Sequence, residues 1–128
     1  MADASFQVEV VAVEERIYSG EATFVIAQTT EGELGVLHNH EPLLGQLVEN
    51  GFVVIEQVDG VRRVAAVQGG FLSVTGESVT VLAESAEWAR DVDVDAEKAV
   101  LESAEEGSED YLRAESRLKA VEQLSATK

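Results

Sequence analysis

The chain has 128 residues, no cysteine, and 25 acidic against nine basic side chains, for a formal net charge of −16. A chain of this length buries roughly two-thirds of its unfolded surface, enough for one proper core and a small appendage, which excludes a large multidomain enzyme. Without cysteine there is no disulfide, thiolate metal site or cysteine nucleophile, and with no basic patch to neutralise phosphates the chain is a poor partner for nucleic acid.

Six of the nine basic residues follow Glu84. The overall acidity leaves two readings open, plain solubility or a preference for basic partner surfaces. No apolar run approaches the ~20 residues that span a bilayer. Met1-Ala-Asp-Ala-Ser5 carries neither the basic flank nor the apolar core of a signal peptide, so the sequence predicts a soluble cytosolic chain.

In chain order, Phe6–Val13 and Ala22–Ala27 read as strands with apolar residues in both parities, which predicts cover on both faces, one of which a partner could supply. Two histidines follow in Gly32-Glu-Leu-Gly-Val-Leu-His38-Asn-His40. Spaced two apart on a strand they could share a metal, but Leu44 and Gly45 stand where a carboxylate ligand should follow, and a third histidine is missing. A loop histidine held by local hydrogen bonds or a partner contact is the simpler reading.

Next comes a hairpin, Phe52–Val58 and Val61–Val67 around Asp59-Gly60, whose dipeptide suits a type I′ turn. That turn predicts Val58 opposite Val61, Ile55 opposite Val64 and an ion pair of Glu56 with Arg63. Gly76-Glu77 suits a type II′ turn and predicts Val74 opposite Val79 and Leu72 opposite Val81, with Ser73, Thr75, Ser78 and Thr80 on the wet face. Gly69-Gly70 is too short for a dinucleotide fingerprint and suits a tight strand turn or close backbone packing.

From Glu84 to Arg90 a polar link surrounds Trp88, which is a packing anchor or part of a partner interface. Beyond it Asp93 is placed to cap a first helix, with an apolar stripe of Val94, Ala99, Val100, Leu101 and Ala104 and Gly107 as its stop. Ser108 caps a second, in which Tyr111, Ala114, Leu118 and Val121 recur at spacings of three and four. Glu109 with Arg113 and Glu115 with Lys119 are expected i,i+4 pairs. The predicted fold is an N-terminal antiparallel β-sandwich (1–84), a linker (85–92) and a C-terminal antiparallel two-helix hairpin (93–128). Each helix is near the length at which isolated helices are marginal. The hairpin must therefore dock, permanently or as a switch.

Glu31-Gly-Glu-Leu-Gly-Val-Leu-His-Asn-His-Glu-Pro-Leu-Leu44 closely resembles the signature loop of F-type ATP synthase epsilon subunits, in which Gly-x-Leu-Gly leads to His-x-Pro-Leu. Tyr18-Ser-Gly20, Gly69-Gly-Phe71 and Val79-Thr-Val-Leu-Ala83 resemble three further stretches of that family, in order and at compatible spacing. The resemblance implies a non-catalytic rotor subunit without cofactor, bound to the gamma subunit and resting on the membrane ring of c subunits. It implies Glu33 and His40 as c-ring contacts. The C-terminal helices would restrain ATP hydrolysis, with Arg113, Arg117 and Lys119 meeting the catalytic alpha and beta subunits or pairing within their own helix. The implied location is the cytoplasmic side of a bacterial plasma membrane, peripheral and attached indirectly. Some family members bind ATP through Asp-x-x-Arg-Ala at the first helix; here Asp93 is followed by Ala96 and Glu97, so weak or no ATP binding is expected. The competing reading is a free-standing β-sandwich ligand sensor with a helical lid.

Overall fold

β-branched alternation gives way to Ala-, Glu- and Lys-rich sequence after Ala89, and the backbone changes from strand to helix at the same place. The computed structural model describes residues 5–13, 16–38 and 41–125. Its strands are β1 (Phe6–Ala12), β2 (Arg16–Thr29), β3 (Gly32–Val36), β4 (Leu43–Gln46), β5 (Gly51–Gln57), β6 (Arg62–Val74) and β7 (Ser78–Trp88). A 3-10 turn at Ala89–Asp91 leads to α1 (Val94–Ser103) and α2 (Glu109–Ser125).

The strands run in the order β1-β7-β6-β5-β2-β3, with β1 also pairing β2 and β4 pairing β6. The fold is the predicted β-sandwich followed by two helices, with one parallel pair, β1 on β7. Strands so far apart in the chain meet without a tight turn, so their direction is free. Two layers form because β6 serves both: it pairs β5 through Val67 and β4 from Phe71 onward. The crossing is at Gly69-Gly70, with φ of +74° and +109°. There the Gly69 N–H turns to the Val48 carbonyl (3.0 Å) and the Gly70 carbonyl accepts from Leu47 (2.9 Å). A Cβ on Gly70 would stand 1.9 Å from the Leu82 carbonyl oxygen, so this is the close backbone packing expected of the pair. Between the layers lie Val8, Val10, Val25, Val53, Ile55, Leu72 and Val81, all inaccessible to solvent.

Three local expectations are corrected. The β5–β6 hairpin closes through a three-residue loop: Gln57 N–H bonds the Val61 carbonyl (2.9 Å), Gly60 N–H bonds the Gln57 carbonyl (3.0 Å), and Gly60 has φ +89°. The register therefore shifts by one, placing Val54 opposite Val64 and Glu56 opposite Arg62 instead of Arg63. Asp59 favours this loop because its Oδ1 accepts from Val61 N–H at 3.0 Å and from Gln57 Nε2 at 3.1 Å. The β6–β7 register is as predicted, but Gly76 does not adopt the positive φ of a type II′ turn. Its closure uses Thr75 and Ser78 hydroxyls 2.8 Å apart, and the Glu77 carbonyl accepts from Gln7 of β1. Finally, the stretch expected to be a polar link continues β7 as far as Trp88, because Ser85–Trp88 pair with Ala65–Gln68.

Capping of the helices follows the sequence at both starts. Asp93 Oδ1 accepts from Ala96 N–H (3.2 Å) and Ser108 Oγ from Tyr111 N–H (3.2 Å), satisfying donors that a first turn leaves open. The end of α1 differs: it stops at Ser103 with Ala104 extended, three residues before Gly107, which takes φ +85° in the connection.

Candidate docking surfaces

β5 is buried along Gly51–Ile55 without alternation, and the reason is the chain's own second helix. Phe52, Val54, Val64 and Ala66 point away from the sandwich core and pack with Ala89, Ala120, Val121 and Leu124. The second cover from α2 thus falls on β5 and β6, with Ile26 of β2 packed against it; β1, expected to be covered on both faces, instead alternates, with Phe6, Val8 and Val10 buried and Gln7 exposed. The stripe α2 turns to the sheet contains Ser116, Ala120 and Leu124, spaced by four; of the stripe expected from apolar residues, Val121 packs with this cluster and Ala114 is fully buried, while Tyr111 and Leu118 stay half-buried. Small residues win these positions because they let the helix lie close to the sheet.

Ser116 is completely buried. Its hydroxyl donates to the Gly51 carbonyl (2.5 Å) and accepts from Gln68 Nε2 (2.8 Å), and Gln68 Oε1 in turn accepts from Ser85. At the far end Arg62 donates through Nε to the Gln123 carbonyl (3.3 Å) and through Nη1 to Glu56 (2.9 Å). Asn50 Nδ2 donates to Glu115 (3.1 Å). That bond takes up the carboxylate expected to pair with Lys119, which makes no ion pair among the described residues. Arg113 lies 3.6 Å from Asp110, one position from the expected Glu109. Arg117 is the third cation on this helix, and it reaches Glu87 of β7 (2.7 Å) and Glu97 of α1 (3.0 Å).

α1 is attached differently. Its single buried residue is Glu97, whereas Ala99 of the expected apolar stripe is exposed and Val100 and Leu101 are half-buried. At the junction with the sandwich Trp88 packs against the core, edge-on to Tyr18 at 6.1 Å. The Arg63 guanidinium lies 4.1 Å from the Trp88 ring centroid, within cation–π range. Burial pushes the Tyr18 hydroxyl above its ordinary pKa, opposed by the Arg63 charge and reinforced by Asp59.

A second surface lies on the outer face of the sheet formed by β4, β6, β7 and β1. Phe71 stands opposite Leu82, Leu82 opposite Val11, and Leu44 opposite Ser73. Their neighbours Leu72, Val81 and Val10 point inward, so the period of two sends this set outward. Leu44 is 73% exposed, Phe71 50% and Leu82 49%. The sequence carried a sign of this: Phe71 and Leu82 occupy the parity of Ser73 and Thr80 and face each other in the predicted register. Glu33 is exposed on β3, opposite Gln28. Thr29 fixes the preceding turn, its hydroxyl donating to the Gly32 carbonyl (2.7 Å) and accepting from Glu31 N–H (3.1 Å). His38 is exposed, and His40, with the paired-histidine reading and half of the expected c-ring contact, lies outside the described residues.

The fold defines a β-sandwich protein followed by two helices, the second packed on one sheet and the first on that second helix. Residues 5–89 match the family model described as ATP synthase, Delta/Epsilon chain, beta-sandwich domain. The ATP synthase epsilon chain of Rhodococcus opacus is 59% identical over 119 residues, covering 93% of this chain and 98% of its own. That of Corynebacterium urealyticum is 60% identical over 119 residues, covering 92% and 94%. Among solved structures, a chain of the Euglena gracilis mitochondrial ATP synthase superposes with a TM-score of 0.67 at 24% identity, covering 98% of this chain and 82% of that one. The chain belongs to the ATP synthase delta/epsilon chain family.

Proposed function

We propose that this chain is the epsilon subunit of a bacterial F-type ATP synthase, a non-catalytic part of the central stalk. In this reading the sandwich couples the catalytic head to the membrane ring of c subunits. The observation that carries it is the outward apolar set Leu44, Phe71 and Leu82, on a chain whose relatives match along nearly its whole length. Apolar side chains so exposed and so aligned mark an interaction surface, here assigned to the gamma subunit. The loop bearing Glu33 and His40 is assigned to the polar loops of the c ring. The helical hairpin is assigned a brake on ATP hydrolysis, through contact of α2 with the catalytic alpha and beta subunits. Association with the plasma membrane is then peripheral and indirect, on the cytoplasmic side.

Against the lid-bearing sensor stands the filling of the helix–sheet interface by Phe52, Val54, Ala120, Val121 and Leu124, which occupy the space a ligand would take. The deciding experiment is copurification with gamma. The unaltered chain should bind it, and Phe71→Ser combined with Leu82→Ser should abolish binding while leaving the far-ultraviolet spectrum unchanged. Unaltered gamma binding by the double variant would remove the assigned surface. For the finer assignments, Glu33→Ala with His40→Ala should lower proton pumping in reconstituted membranes, and truncation after Arg90 should raise ATPase activity.

A further inference from the structure

We propose that Arg117 is a latch that holds α1 to the sandwich by bridging two carboxylates on different elements. From α2 its Nη2 meets Glu87 of β7 at 2.7 Å and its Nη1 meets Glu97 of α1 at 3.0 Å. One guanidinium thereby joins three elements. The fork geometry of arginine makes this possible, because its donors lie in one plane and can serve two acceptors at once.

The dependence of α1 on this contact follows from what else it lacks. α2 is secured by Ala114, Ser116 and Ala120, all buried, and by the clasp of Arg62 on Gln123. α1 packs on α2 rather than on the sheet, and its buried residue is an acid, Glu97, 9% exposed. A carboxylate taken so far from water is held there only by a hydrogen-bonded cation. Without Arg117, Glu87 and Glu97 would confront each other as like charges, one of them buried. The latch is also incompletely satisfied when closed, since the buried Arg117 Nε finds no acceptor among the described residues. It therefore opens at lower cost than a fully bonded arginine would.

The consequence deepens the proposed brake and rests on that reading. While it bridges Glu87 and Glu97, Arg117 is committed inside the subunit, and it becomes available to an acidic partner surface only after the hairpin lifts. Two substitutions that weaken the same latch should thus act oppositely on the assembled complex. Glu87→Gln loosens the hold on the hairpin and keeps the cation; Arg117→Gln loosens it and removes the cation.

The test uses the full-length subunit first by itself, following amide hydrogen exchange in residues 94–103. Both variants should speed exchange there about tenfold, as expected for a lost charge-assisted hydrogen bond, with residues 51–57 of β5 unchanged. High salt should speed it in the unaltered chain as well. Unchanged exchange of α1 in both variants would overturn the latch. Arg117→Lys, which keeps the charge but not the fork, should also loosen α1 and guards against a variant that fails to fold. In the assembled complex, Glu87→Gln should lower ATPase activity and Arg117→Gln raise it. Faster exchange with ATPase moving the same way in both would keep the latch and defeat the brake.

Discussion

Arg62 extends from the β5–β6 ladder to the Gln123 carbonyl in the last turn of α2, while its Nη1 stays 2.9 Å from Glu56. A cation at that end of a helix meets carbonyls with no partner within the helix and the negative pole of its dipole. Arg62→Met should therefore cost about 1–2 kcal/mol. Urea denaturation would measure the loss, and hydrogen exchange should place it in residues 119–125. A loss spread evenly over the sandwich would contradict this role.

Two glycines should respond in opposite ways. Gly70→Ala forces a Cβ against the Leu82 carbonyl at a φ of +109°, and should cost more than about 3 kcal/mol or abolish folding. At Gly76 the space is open and φ is ordinary, so Gly76→Ala should stay within about 1 kcal/mol of the parent and can stabilise it. Denaturant midpoints of the two variants check both.

Asp59 should make the β5–β6 hairpin acid-sensitive. Its pKa is lowered from the ordinary 3.8, first by the Val61 N–H and then by the Gln57 amide. A depressed carboxylate stabilises the fold above its unfolded value, and that contribution is lost as pH falls through the folded one. The stability difference between the parent and Asp59→Ala should be present near neutrality and should shrink below 3.8. Paired unfolding curves at the two acidities would reveal it, and a difference that grows on acidification would refute the sign.

Nucleotide should bind weakly if at all. The cleft between the helices contains Arg113 and Arg117, but both already face acids, Asp110 and Glu97. Asp93 is engaged as a cap, and Ala96 offers no charge. A missing charge-assisted hydrogen bond lowers affinity about tenfold or more. Trp88, three residues from the end of the 3-10 turn that leads into α1, should report any binding. A saturable change in its emission at submillimolar ATP, matched by calorimetry, would overturn the expectation.

Periodicity and turn residues alone were enough to place two short hairpins, close backbone packing at Gly69-Gly70, both helix caps and the order of sandwich before helices. Each of these is decided by neighbours in the chain, where φ preferences and alternation act directly. Tertiary structure decided what lies far apart in sequence. The one-residue shift that gives Glu56 to Arg62 depends on how Asp59 bonds the loop, and the parallel pairing of β1 with β7 on the closing of two layers. Most of all, the sequence shows cations on α2 but not their partners. Glu87 and Glu97 meet Arg117 only because the hairpin folds back on the sheet, and a small serine at 116 rather than a large apolar residue sets how closely it can lie there.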